Sequence, residues 1–305
     1  MNRVTSIDAQ MLERFEQGYA ARPELNVMSN AVSRTALPDA AFVPAAAAKL
    51  RMDFSVLVKT NNITNQKQSG RCWMFSTLNV LRQRVIAKCN LEDFSFSPTY
   101  LAFYDKLEKA NLFLENILHF ADQDLTDRET YTLLGSPLPD GGQWDMLCSL
   151  VNKYGLVPKS AMPESYSSSA TSEMCSYMTE KLREFACILR RAHKDGESME
   201  QLRACKEEMM QTIYNMLCIS LGKPPKTFTF EYRDKDGNFH RDCDLTPKAF
   251  YEKYIGVNVN DYISLINAPT EDKPFYRSYS VSYLGNVIEG RPCQSRSSKK
   301  LQSLR

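Results

Sequence analysis

The chain changes its period after Leu221. Residues 171–193 set Met174, Met178, Phe185 and Leu189 at the three- and four-residue steps of an amphipathic helix. Residues 198–221 do the same with Met199, Leu202, Met209, Ile213 and Met216. Both methionine stripes read as core filling. Gly222, Pro224 and Pro225 end the helical run. Beyond them TFTFEYRDKDGNFH alternates Phe228, Phe230 and Tyr232, and Asp236-Gly237 is a hairpin turn signal. A helical part followed by a strand-forming part places the chain in the α+β class.

The remaining elements fit this division. Residues 5–35 read as short helices, and residues 1–52 as an N-terminal helical arm. DFSVLVK at 53–59 alternates like a strand, through Phe54, Val56 and Val58. From Cys72 the pattern is helical, with Met74, Leu78, Leu81 and Val85 on one stripe. Ser97 and Pro98 are a cap and first residue for the next helix. A glycine turn, DGG, precedes a helix from about 143 that Gly155 stops. Residues 53–225 thus form a mostly helical unit. Thr246 and Pro247 open a short helix, and 261–267 and 276–284 read as strands of a β-rich segment, 226–291.

Charge and cysteine usage exclude several classes. The last fifteen residues hold five Lys or Arg and no acid, and the other 290 carry a net charge of −3. The body therefore has no basic excess for nucleic acid, and residues 292–305 read as a disordered basic tail without aromatic partners for bases. No stretch is apolar enough for a membrane span or a signal peptide. The nine cysteines include no C-x-x-C pair, so no zinc or redox motif is signalled and no cofactor is expected. Scattered thiols in helical patterns suit a reducing, cytoplasmic setting.

One cysteine stands apart. In TNQKQSGRCWMFSTLNVL, Cys72 lies where the apolar period begins, so its sulfur sits at a helix N-terminus, which favours the thiolate. Gly70 permits a tight entry to that helix. The free Cys72 N–H could hold a developing oxyanion, and Asn65, Gln66 and Gln68 each offer a second donor by chemistry alone. Cysteine at a helix start is more often structural, so spacing alone does not decide its role.

The spacing from Gln66 to Cys72, followed by Trp73, Phe75 and Ser76, resembles the signature of papain-like cysteine peptidases. FSFSPTYLAFYDK, PDGGQWDML, KYGLVPKSAMPESY, PPKTFTFEYRDKDGN and LTPKAFYEKY narrow the resemblance to the bleomycin hydrolase and aminopeptidase C branch, from about residue 5 to about residue 291. That resemblance implies a papain-like fold with its helical half present and its β-barrel half incomplete. It implies Cys72 as nucleophile, Gln66 as oxyanion donor, and Gly141 and Gly142 as the glycine pair whose backbone aligns an extended peptide. It also implies peptide substrates, aminopeptidase action and a homo-oligomer, a hexamer. Ser69 stands where extracellular members carry a disulfide cysteine. Trp73 and Trp144 read as core.

The same resemblance calls for a histidine base and an asparagine, and no residue here matches either. His193 ends an amphipathic helix, His119 lies on a helix and His240 ends a hairpin strand. The sequence therefore carries two expectations: a thiol aminopeptidase, or a truncated, inactive chain that acts as an interaction subunit.

Overall fold

A computed structural model describes residues 6–50, 53–56, 62–266, 270–280, 284–290 and 294–297. The chain divides into two compact units, Met1–Lys59 and Thr60–Arg305. The first contains α1 (Ala9–Ala20), α2 (Glu24–Val32), α3 (Leu37–Ala40) and α4 (Pro44–Ala47). None of its described residues is buried. Residues 53–56 are not a strand, contrary to the alternation of Phe54 and Val56; both side chains are exposed and no strand among the described residues pairs with them. The rest of that expected strand lies outside the described residues.

The second unit is built around helices. They are α5 (Cys72–Cys89), α6 (Pro98–His119), α7 (Arg128–Gly135), α8 (Trp144–Tyr154), α9 (Tyr166–Ser169), α10 (Ser172–Lys194) and α11 (Met199–Leu221). The central one is α6, against which α5, α7, α8, α10 and α11 all pack. Its start is fixed as the sequence requires. Ser97 Oγ accepts from the Tyr100 amide and also donates to the Met162 carbonyl, and Pro98 occupies the first turn. Leu101, Phe103, Ala110, Leu114 and Ile117 of α6 are fully buried.

The stripe Met74, Leu78, Leu81 and Val85 of α5 is buried, as its spacing predicts. Met174, Met178, Leu202, Met209 and Ile213 also enter the core. Met199 is exposed and Met216 only half-buried, because Leu217 takes the inward position. Gly155 ends α8 at φ +73°, with the Pro247 backbone 2.4 Å from where a side chain would begin.

Two small sheets follow. Strands β1 (Phe228–Arg233) and β2 (Phe239–Leu245) form the expected antiparallel hairpin, with Gly237 at φ +85° in its turn. Phe230 anchors it, with ring centroids 5.9 Å from Phe94, 5.1 Å from Phe250 and 5.0 Å from Tyr254. Thr246 caps α12 (Pro247–Phe250), which continues into a π-helical turn, Tyr251–Ile255, packed on α5.

The second sheet has the order β3-β5-β4, from β3 (Leu265–Ile266), β4 (Ser278–Ser280) and β5 (Gln294–Ser297). β3 and β4 are much shorter than the alternation at 261–267 and 276–284 predicts; residues 267–269 and 281–283 lie outside the described residues. β5 runs parallel to β3 and antiparallel to β4. Residues 294–297 are thus a central strand, where a disordered tail was expected from 292. Their extended backbone satisfies two edges that would otherwise be open. Among the described residues neither sheet closes, as expected of an incomplete barrel half.

Candidate active site

Cys72 is the first residue of α5, and it is exposed. The Arg71 carbonyl accepts from the amides of Met74 and Phe75. Among the described residues the Cys72 amide makes no backbone hydrogen bond, so it is one of the free donors that begin a helix.

The entry turn is held from inside. Ser69 Oγ donates to the Gln66 carbonyl at 2.6 Å and accepts from Arg71 Nε at 2.9 Å. Arg71 is 2% exposed and forms a two-pronged ion pair with Glu164, at 3.2 and 2.9 Å. Its guanidinium also lies 5.2 Å from the Phe75 ring centroid. Burial pushes the Glu164 carboxyl up, but the bonds from Arg71 and Ser168 outweigh it and leave its pKa lowered. Ser69, at a position the resemblance associates with a disulfide, serves here as a hydrogen-bond bridge.

On the other side the loop 139–142 meets the head of α5 through Asp140. Its Oδ2 accepts from the Gly70 amide at 2.7 Å and from Thr171 Oγ1 at 2.6 Å. Lys106 Nζ lies 2.8 Å from its Oδ1. The Asp140 carbonyl accepts from Trp73 Nε1 at 3.2 Å. Burial would raise the Asp140 pKa, but the charge and hydrogen bond of Lys106, with the bonds from Thr171 and Gly70, bring it to about 2. A Cβ on Gly70 would lie 2.8 Å from the Asp140 side chain, which is the reason this turn needs glycine.

Beneath the loop, Lys109 Nζ donates to the carbonyls of Pro139 at 2.9 Å and Gly141 at 2.8 Å. It also pairs with Asp105 at 2.7 Å. Asp105 accepts in turn from Asn286 Nδ2 at 2.9 Å. The Lys109 pKa is lowered, chiefly by burial; Lys106 is raised because Cys175, Asp105 and Asp140 outweigh its burial.

The expected site residues fall as follows. Gly142 sits against Trp73, the neighbour of Cys72: a Cβ there would come within 2.5 Å of the indole. Gly141 has open space around it. Gln66 is half-buried in the turn before α5; among the described residues its buried Oε1 has no hydrogen-bond partner and no hydrogen bond joins it to Cys72. Asn65 Oδ1 accepts from the Lys67 amide, and the Gln68 backbone bridges to Ala170. Trp73 is in the core and Trp144 is half-buried against Tyr262.

No hydrogen bond links a histidine to Cys72 among the described residues. His193 pairs with Asp122 at 2.8 Å and His240 with Asp234 at 2.9 Å, while His119 lies edge-on to Phe120. Sequence reasoning missed Arg71, Glu164, Asp140 and the lysine pair. Three charges at 105, 106 and 109 within an apolar helix were the available signal. Among the described residues there is no cluster able to hold a metal ion and no helix long and apolar enough to cross a membrane.

Residues 6–301 match the Peptidase C1-like family. Aminopeptidase C of Listeria innocua is 44% identical over 288 residues, covering 94% of this chain and 65% of that protein. Aminopeptidase C of Lactobacillus helveticus is 44% identical over 285 residues, covering 93% and 64%. The crystal structure of pepw from Lactobacillus rhamnosis HN001 superposes with a TM-score of 0.92 at 43% identity, over 98% of this chain and 67% of that one. The chain thus spans about two thirds of the length of the relatives it matches. With the papain-like arrangement of α5 beneath its cysteine, these likenesses make the chain a member of the Peptidase C1-like family.

Proposed function

We propose that the chain carries the nucleophile and substrate-aligning groups of a cysteine aminopeptidase acting on peptides. The observation that supports this reading best is the exposed thiol of Cys72 at the free N-terminus of α5, next to Trp73, on which Gly142 of the glycine loop is seated. The Cys72 sulfur attacks the scissile carbonyl to form a thioester, the departing amine takes up the thiol's proton, and water then hydrolyses the thioester. The Cys72 amide and the Gln66 side chain hold the oxyanion, and the glycine strand aligns the substrate backbone. All eight cysteines among the described residues are free, which suits a reducing, cytoplasmic setting. Assembly into a homo-hexamer belongs to the same reading and is measured by light scattering.

A second reading has its own support. A thiol peptidase needs an imidazole to take and return the proton, and no histidine bonds to Cys72 among the described residues. On this reading the chain is an inactive subunit that joins active ones.

Hydrolysis of an aminoacyl fluorogenic amide by the wild-type chain and by Cys72→Ala separates the two. Turnover that disappears in Cys72→Ala supports the enzyme. Equal, background rates in both support the inactive subunit.

A further inference from the structure

Two lysines one helical turn apart in α6, both within a few per cent of complete burial, support the glycine loop from below. Burying two ammonium groups is costly, and a fold keeps them only where acceptors are fixed in place. Here the acceptors are Asp105, Asp140 and three polypeptide contacts, two at the Pro139 carbonyl and one at the Gly141 carbonyl. The Gly141 carbonyl is drawn inward to Lys109. Gly142 differs: among the described residues its backbone makes no hydrogen bond. Its missing side chain lets the strand lie on Trp73. Asp140 completes the brace by fixing the same loop to Gly70, two residues before the thiol.

Resting on the active-site reading above, we infer that Lys109, Lys106 and Asp140 are positioning residues that fix the height and facing of Gly142 relative to Cys72, so that the loop is set to pair with the substrate backbone. Lys109 holds the Gly141 carbonyl inward. Lys106 and Asp140 tie the loop to the entry turn of the Cys72 helix. The brace touches neither substrate nor sulfur. Its effect is on how a peptide is held, not on how reactive the thiol is.

That distinction gives a test that needs no turnover. Cys72 of the full chain is alkylated with iodoacetamide, which has no peptide backbone, and separately with a dipeptidyl vinyl sulfone, which must align along the glycine strand. Modification of Cys72 is followed by mass spectrometry, with exposed Cys243 as the internal reference. In Lys109→Met the peptidyl rate falls by about tenfold or more, as expected when a bound reactant is misplaced by about 1 Å, and the iodoacetamide rate changes by less than about twofold. Lys109→Arg, which keeps charge and donors, recovers part of the loss. A variant with merely structural damage changes both rates together.

Asp140→Asn, nearly isosteric, gives the answer if Lys109→Met loses its circular dichroism signal. Loss of peptidyl selectivity in a folded Asp140→Asn chain supports the brace. Unchanged selectivity in either folded variant overturns it and leaves the active site standing. A wild-type chain that favours the peptidyl reagent no more at Cys72 than at Cys243 overturns both.

Discussion

Two of the buried cationic sites near the Cys72 helix are built differently. At the first, Lys106 and Lys109 meet Asp105 and Asp140, so two positive charges face two negative ones. At the second, Arg82 of α5 is 3% exposed, and its Nη2 donates to the Asn62 carbonyl at 2.8 Å. Among the described residues its Nε and Nη1 are buried without a partner. Arg82 borders a cavity of 360 Å³ whose walls include Thr64, Phe75, Asn79 and Asp93. Burial by itself therefore says little about what a charge does. The first site has enough acceptors to fix a loop; the second retains a desolvated guanidinium that the described residues satisfy in part.

The comparison is broken most directly at the first site. Lys109→Met leaves Asp105 buried without its ammonium and frees the Gly141 carbonyl, while the Pro139 carbonyl keeps Lys106, so stability falls by about 3–5 kcal/mol, read by urea denaturation. A loss below about 1 kcal/mol would mean that the pairing carries little. The second site responds with the opposite sign. Arg82→Met removes two unsatisfied donors for the loss of one hydrogen bond, and the same titration shows a gain of about 1–2 kcal/mol. A destabilised Arg82→Met chain would show that those donors have a partner in solution.

The smallest effect is in acid. The folded pKa of Asp140 is about 2, below its ordinary value of 3.8. Its contribution is therefore complete above about pH 4 and is lost as the pH falls toward 2. Asp140 is partly solvated, so the change is modest. Stability measured across that window declines less steeply in Asp140→Asn than in wild type. Parallel curves would remove Asp140 from the acid response.

What the sequence made legible was local. Ser97-Pro98 and Thr246-Pro247 are caps whose partners lie within three residues, and both form as their residue types require. The stripe through Met74, Leu78, Leu81 and Val85 depends only on helical spacing. The position of Cys72 at a helix head follows from the same pattern. The non-local features were not legible. Lys106 meets Asp140, and Arg71 meets Glu164 93 residues later, and neither pair has a periodic signature. Strands failed for a related reason. A strand exists only with its neighbour, so alternation at 53–56 gave none, while Gln294–Ser297, with no apolar alternation, became one by lying between β3 and β4. Gly142 was expected to serve through its backbone, and its steric need for glycine depends on where the Trp73 ring rests, which no local pattern shows.

Asn286 gives the buried charges a schedule as well as a structure. Its side-chain amide, 1% exposed, binds Asp105 across 181 residues of sequence. Synthesis delivers a chain at roughly 5–20 residues per second, so α6 leaves the ribosome on the order of ten seconds before the amide that completes its ion cluster. During that interval Asp105 must rely on Lys109 and water. The helices can gather early, but the cluster is sealed only when Asn286 arrives, which couples maturation of the region around Cys72 to synthesis of that later segment.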